Sequence, residues 1–385
     1  IEDAVAGHLS DIHTSAFVAA CAGGRLNEEE IFYLTKAMVD TGERLTWGKD
    51  LVVDKHCVGG LPGNRTTPIV VAIAAAYGLT IPKTSSRSIT SPAGTADTME
   101  VLAPVELSLE QIRKVVEKEN GCVVWGGAVS LSPADDVLIR VERTLNVDSE
   151  GQLVASVLSK KLAAGSTHVV IDIPVGPTAK VRDAAMGIRL QHLLRHVGQM
   201  SGLTIKVALT EGFEPIGRGI GPALEARDVV QVLQNHKDAP TDLREHALTL
   251  AANVLEFSPQ VEKGKGLTIA EEILKNGKAW SKFQAICEAQ GGMREIPQSC
   301  CRHDHLATKT GKVLQIDTRR IALLAKLAGA PQFKAAGIDL HVKLHDVVEK
   351  GQPLFTVHSQ SPGELNYALS YLHESNEFIR LEEME

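Results

Sequence analysis

Leu51-Val52-Val53-Asp54-Lys55-His56, then Gly59-Gly60-Leu61-Pro62-Gly63, then Thr67-Pro68 and the apolar stretch from Ile69 to Tyr77, closed by Gly78, form the segment on which the fold turns. The first run is short, apolar and rich in β-branched residues, which suits a strand. The glycine and proline cluster after it breaks regular structure and opens a loop. Thr67 supplies an N-cap and Pro68 a first-turn proline for a buried helix that Gly78 stops. Strand, glycine loop and helix make one unit.

Working outward, the same logic recurs. Leu79-Thr80-Ile81 leads into a polar loop, and an apolar segment follows around Met99 to Leu102. Ser108 with Gln111 caps a helix from Leu109 to about Glu119, closed by Asn120-Gly121, and Cys122 to Trp125 is the next strand. Strands at His168 to Ile173 and Leu203 to Leu209 alternate with helices from Thr178 to about Met200 and from Leu224 to Asn235, the last preceded by a glycine turn over Gly217 to Gly221. Alternating β and α elements imply an α/β fold with a largely parallel sheet covered by helices. The flanks differ in texture. The first 40 or so residues are helical, with Asn27 capping and Glu30 three positions on, and two more helices run from Ser132-Pro133 to about Leu145 and from Leu153 to Ala164. Helical segments at Asp242 to Phe257 and Thr268 to Gln290 lead into a tail of short strands, Lys312 to Ile316 and Pro353 to Val357, with turns at Lys350-Gly351 and Pro362-Gly363. That tail is a small α+β appendage.

Length and composition bound the function. A chain of 385 residues suggests two or three domains. The net charge of -7 removes the global basicity of a non-specific nucleic-acid binder, and few aromatics argue against repeated base stacking. The long apolar stretch from Ile69 to Leu79 falls short of the roughly 20 residues a membrane helix needs. Six cysteines without a CxxC pair suit a reduced, cytoplasmic setting.

The glycine loop after His56 matches neither G-x-x-x-x-G-K-[ST] nor G-x-G-x-x-G. What remains is an anion cradle of backbone N–H groups, with Lys55, Thr66 and Thr67 adding charge and hydroxyls, or else a tight structural turn. The second loop, Thr84 to Thr98, carries Thr84, Ser85, Ser86, Ser88, Thr90, Ser91, Thr95 and Thr98 around Arg87 and Gly94. So many hydroxyls suit a ligand rich in oxygen, phosphate above all, or a solvated loop. Ser156 and Lys160, four apart on a helix, share a face that Arg140 on the preceding helix can join. Two metal-like groups read as incidental: Cys300 to His305 lacks a second half-site, and His192 with His196 lacks the intervening Glu of a metalloprotease.

Asp54 to Gly60, Lys83 to Ser91, Ala93 to Asp97, Ala155 to Leu162 and Glu214 to Gly221 together resemble the thymidine phosphorylase and AMP phosphorylase family, in order and over nearly the whole chain. The branch it is most similar to contains bacterial type 2 thymidine phosphorylases and archaeal AMP phosphorylases. The resemblance implies a nucleoside phosphorylase-phosphoribosyltransferase fold: a split helical domain from 1–45 and 130–165, an α/β domain from 50–128 and 166–300, and a barrel-sandwich-like C-terminal domain at 301–385. It implies reversible phosphorolysis of a pyrimidine nucleoside such as thymidine by a homodimer or larger homo-oligomer. Phosphate is then a co-substrate, and no metal, other cofactor, membrane or nucleic acid is needed. By the same likeness Lys55, Gly60, Thr67, Ser85, Ser86, Arg87, Ser88, Ile89, Thr90, Ser91 and Thr95 form the phosphate site. His56, Arg140, Ser156 and Lys160 lie on the nucleobase side, and Asp148, as proton donor to the base, acts with His56 and Lys180 in catalysis.

Two features depart from the family pattern. Cys57 stands where Ser usually follows the Lys-His pair, so a phosphate contact is expected to be lost or passed to the backbone. Archaeal members carry an N-terminal domain ahead of the helical region in which this chain begins. The alternatives kept open are a nucleoside 5′-monophosphate phosphorylase acting on AMP, CMP or UMP, an inactive nucleoside- or phosphate-binding regulator, and a magnesium-dependent phosphoribosyltransferase.

Overall fold

The computed structural model describes the chain except for residues 64, 89, 90, 146–148, 375–377, 384 and 385 and the side chain of residue 143. Five strands run parallel: β1 (Val53–Cys57), β2 (Ile81–Ser85), β3 (Gly121–Trp125), β4 (His168–Val175) and β5 (Thr204–Glu211). β1 pairs with β4, β4 with β5, and β2 with β3. A single parallel bridge, Val52 with Thr80, joins the two groups and gives the order β3-β2-β1-β4-β5. Beyond that bridge β1 and β2 make no further pair among the described residues, so the sheet has a seam there. All carboxyl ends point one way, which is where open parallel sheets collect their sites.

The helix after the glycine loop, Thr66–Tyr77, has no polar face: ten of its twelve residues are buried. Such a helix must be covered all round, and it is, by the sheet and by helices Thr241–Leu255 and Lys278–Ala289. Each fully buried Val or Ile in it contributes about 1.5–3 kcal/mol. Thr67 is not its cap. The helix starts at Thr66 with Arg65 at the cap position, and Thr66 Oγ1 donates to the Gly63 carbonyl at 2.7 Å.

Other boundaries also differ from expectation. The helix expected from Thr178 begins at Ala184, because Asp183 accepts a hydrogen bond from the Met186 N–H at 2.8 Å and caps it there. The helix expected from Leu153 begins at Glu150, capped by Ser149. Thr268 to Gln290 is two helices, Gly266–Lys275 and Lys278–Ala289. Pro362-Gly363 opens the helix Pro362–Glu374 rather than a turn, with Ser361 Oγ accepting from the Glu364 N–H.

At the N-terminal side, Val18, Leu34, Met38, Ala134, Leu138, Val141 and Ala155 form one apolar cluster from helices Asp11–Ala20, Glu28–Asp40, Pro133–Leu145 and Glu150–Ala163. The last helix also turns Val154, Val157 and Leu158 onto Val169, Ile171 and Ile173 of β4. It is therefore common to both regions.

The tail holds β7 (Cys301–Leu306), β8 (Gly311–Ile316), β9 (Gly337–Leu340), β10 (Val347–Val348), β11 (Pro353–Ser359) and β12 (Ile379–Glu383), and all their pairings are antiparallel. One sheet has the order β10-β8-β12; the other, β6-β9-β11-β7, takes its edge strand β6 (Gly219–Ile220) from far upstream. Val313, Ile316 and Val348 from the first sheet share a core with Ile338, Leu340, Phe355 and Val357 from the second. Among the described residues no helix is long and apolar enough to cross a membrane.

Candidate active site

The carboxyl end of β1 presents alternating roles. Lys55 is fully buried, and its Nζ donates to Thr66 Oγ1 at 2.6 Å and to Thr67 Oγ1 at 3.4 Å. An ammonium held by two hydroxyls at the start of a helix is a prepared anion contact. Asp54, also fully buried, accepts from Lys161 Nζ at 2.7 Å and stands 3.6 Å from Lys83 Nζ. His56 is half-buried, and burial, with the charge of Lys161 next and those of Lys160 and Lys55 after it, holds its imidazole well below the ordinary range, hence neutral. Cys57 Sγ lies 3.3 Å from Asp172 Oδ2, and burial with that carboxylate pushes the thiol's pKa up, so it stays protonated and donates to Asp172. Asp172 also accepts from His246 Nε2 at 2.9 Å and Thr210 Oγ1 at 2.6 Å. Burial alone would raise its carboxyl, but the His246 bond and the charge of Lys55 outweigh that and hold it low.

The hydroxyl-rich segment is only partly a loop. Thr84 and Ser85 end β2, and Thr95 and Thr98 lie in the helix Thr95–Leu102. Ser85 Oγ is buried with no partner among the described residues, a donor that a phosphate oxygen would satisfy. Asp97 braces the turn, accepting from the Ser88 N–H at 2.6 Å and the Gly94 N–H at 3.0 Å. A Cβ on Gly94 would come within 2.6 Å of the Ser86 carbonyl, so the chain closes on itself there. Arg87 is engaged with carboxylates of its own chain. Its guanidinium is spent on Glu100 at 2.7 Å, Glu106 at 2.8 Å and Asp97 at 3.3 Å, and it stacks 4.7 Å over Trp125. Ser91 is buried, whereas Ile89 and Thr90 lie outside the described residues.

Across from this loop stands the helix Pro133–Leu145. A cleft of about 580 Å³ is lined on one side by Ser86, Arg87, Ser88 and Trp125 and on the other by Asp135, Asp136, Ile139, Arg140 and Thr144. Arg140 pairs with Asp11 at 2.8 Å on an exposed surface. Lys160 Nζ donates to Asp135 Oδ2 at 2.6 Å, so the helix bearing Ser156 and Lys160 is fixed to this wall. Ser156 and Lys160 are half-buried on a helix that is otherwise mostly buried, one face as expected from their spacing. Burial and the neighbouring charge of Asp135 raise the carboxyl of Asp136, against Lys160.

Lys180 sits in the loop after β4, not on a helix. The left-handed Gly60, at φ 107°, lies against it so closely that a Cβ there would meet the Lys180 backbone nitrogen at 3.0 Å. Asp148 lies outside the described residues. Among the described residues no three His, Cys, Asp or Glu side chains are grouped to hold a metal ion. Sequence reasoning missed Asp54, Lys83, Asp135, Lys161 and Asp172. One of them carried a signal: Asp172 interrupts the apolar strand His168 to Ile173, a charge inside an apolar run, whereas Asp54 and Lys161 stand at the ends of such runs beside Lys55 and Lys160.

A family model described as glycosyl transferase family, a/b domain, matches residues 49–280, and one described as pyrimidine nucleoside phosphorylase C-terminal domain matches residues 312–378. The fold also resembles a solved anthranilate phosphoribosyltransferase from Thermus thermophilus, with a TM-score of 0.57 at 16% identity over 75% of this chain and 98% of that one. Those matches define a glycosyl transferase of phosphoribosyltransferase-like architecture. A protein of Legionella pneumophila (strain Corby) named "Putative thymidine phosphorylase" is 63% identical over 100% of this chain and 74% of its own length. Proteins of the same name from a Polaromonas species and Tolumonas auensis are 61% and 56% identical over 99% of this chain and 75% and 76% of theirs. The chain belongs to the thymidine phosphorylase family and is a pentosyltransferase.

Proposed function

We propose that this enzyme catalyses phosphorolysis of a pyrimidine nucleoside, thymidine in the first place, releasing thymine and 2-deoxyribose 1-phosphate. The observation that carries the reading is Lys55 held 2.6 Å from Thr66 Oγ1, at strand ends that also offer the Ser85 hydroxyl, unpartnered among the described residues, and joined through Lys161 and Asp54 to the helix bearing Ser156 and Lys160. Phosphate is bound by Lys55, Thr67, Ser85 and Thr95 with backbone donors around Gly60, and Cys57 is turned away toward Asp172. The base lies toward Lys160, Ser156 and Arg140. Phosphate attacks the anomeric carbon as the glycosidic bond opens, and the cations opposite stabilise charge growing on the base. His56, kept neutral, serves as a hydrogen-bond partner rather than a charge, and Asp148 delivers the proton to the leaving base. The first 45 residues and 130–165 act as a base-side domain that closes on the phosphate side, in an enzyme that is a homodimer or larger, works in the cytoplasm and needs no metal.

The test is a phosphorolysis panel of thymidine, uridine, AMP, CMP and UMP with product identification, run with and without chelator. Thymine release from thymidine in both conditions supports the reading; cleavage of a 5′-monophosphate alone, or a requirement for magnesium, replaces it with a nucleotide phosphorylase or a phosphoribosyltransferase. Thermal stabilisation by nucleoside without turnover marks a binding protein instead. Lys55→Ala should lower kcat/KM for phosphate by on the order of 100-fold.

A further inference from the structure

The seam between β1 and β2 contains an imbalance of charge. Three lysines, Lys55, Lys83 and Lys161, are buried there with exposures of 0 %, 4 % and 1 %. The carboxylates this cluster holds are Asp54 and Asp172, both fully buried. Lys161 is taken up by Asp54 at 2.7 Å, and Lys55 by two hydroxyls, with its charge acting on Asp172. Lys83 has the poorest compensation. Its Nζ donates to the Thr84 carbonyl at 2.8 Å but reaches only to 3.6 Å from Asp54 Oδ1, an atom that already accepts the Lys55 N–H at 2.7 Å.

A buried cation whose nearest carboxylate is distant and already shared is costly enough that the group gives up its proton instead. We infer that Lys83 is a neutral amine while the site holds no anion, and that it takes up one proton when a phosphate dianion binds at the ends of β1 and β2. The inference rests on reading those strand ends as a phosphate site. The groups that face Lys83 are consistent with it. Burial is the largest influence lowering its pKa, Asp54 opposes, and Lys161 and Lys55 lower it further. His56 is already neutral, and the thiol of Cys122 is pushed up to about 12 by burial and Asp54, so neither can supply the missing negative charge. Lys160 is occupied by Asp135. An incoming dianion reverses the imbalance, and the cheapest response is to restore the ammonium of Lys83. Lys83 is a charge-balancing residue by this account: binding and protonation are linked, each strengthening the other.

The experiment is calorimetric titration of the intact enzyme with inorganic sulfate, whose charge is fixed at neutral and alkaline pH, and with inorganic phosphate at pH 8.5, each in two buffers of different ionisation enthalpy. Wild type should take up close to one proton per anion bound. Lys83→Met should bind the anion about tenfold more weakly and take up almost none. Anion binding without proton uptake in wild type, or undiminished uptake in Lys83→Met, overturns the inference while leaving the phosphate site intact. Failure of both anions to bind wild type overturns the site reading and this inference together. If Lys83→Met does not fold, Lys83→Gln replaces it, and the wild-type uptake still decides.

Discussion

Lys161 Nζ lies 2.7 Å from Asp54 Oδ2, with both side chains sealed from solvent. This contact fastens the helix carrying Ser156 and Lys160 to the strand carrying Lys55 and His56, so the two sides of the proposed reaction meet through one buried ion pair. Removing one partner of such a pair strands the other. Asp54→Asn is expected to cost about 3 kcal/mol of stability or more. Denaturant midpoints for Asp54→Asn, Lys161→Met and the double variant check it: the double variant should lose clearly less than the sum of the singles, and simple additivity would show that the two do not act as a unit.

Gly60 has a left-handed backbone and almost no room for a side chain against the Lys180 backbone. Gly60→Ala should therefore both strain the turn, by about 1 kcal/mol or more, and displace the loop bearing Lys180. Activity should fall by on the order of 10-fold or more, beyond what the modest stability change explains. Full activity in a folded Gly60→Ala enzyme would mean that the approach of the two loops has no bearing on turnover.

His56 is held neutral by burial and by the charge of nearby lysines, Lys161 foremost. An unfolded chain binds a proton at this histidine near pH 6.5, whereas the folded chain does so only at much lower pH. Below 6.5 the unfolded state gains the proton first, so this group's effect is a loss of stability as pH falls, about 1 kcal/mol between pH 6.5 and 5.5. His56→Gln should lose less stability over that interval. Nitrogen NMR of the imidazole should show no titration between pH 6 and 8, and a midpoint near 6.5 would refute the neutral assignment.

Glu100 shows the opposite sign. Hydrogen bonds from Arg87 and then Lys334 outweigh burial and lower its carboxyl to about 2. Its contribution is complete above the ordinary carboxylate pKa and disappears as pH falls through about 2. With solvent screening of a part-exposed group, Glu100→Gln should cost about 1 kcal/mol at pH 7. Urea midpoints of the two proteins should converge by pH 2, and an unchanging gap would indicate a packing effect.

Much of this architecture is legible in the amino-acid order because local rules act there without competition. Asn27 with Glu30 and Ser108 with Gln111 form both halves of their capping boxes, and Asn120 closes its helix in the left-handed conformation. Where tertiary contacts compete, local reading fails. Thr67 has the composition of a cap, yet Lys55 and Gly63 claim the threonine before it. Arg87 lies in the most ligand-like loop of the chain, but its carboxylate partners are 10, 13 and 19 positions away. The partners of Asp54 and Asp172 are more distant still, with Lys161 107 positions from Asp54 and His246 74 from Asp172. No spacing rule encodes such meetings.

The pairing of β6 with β9 has a consequence for synthesis. Gly219 and Ile220 form the edge of a sheet whose neighbour, Gly337–Leu340, leaves the ribosome more than a hundred residues later. Until then the upstream edge has no strand beside it, and the apolar residues that close the downstream core, Leu61 and Ile220 among them, remain uncovered. The nascent chain thus carries, in its middle third, a sheet edge that stays open until the strand that pairs with it has been made.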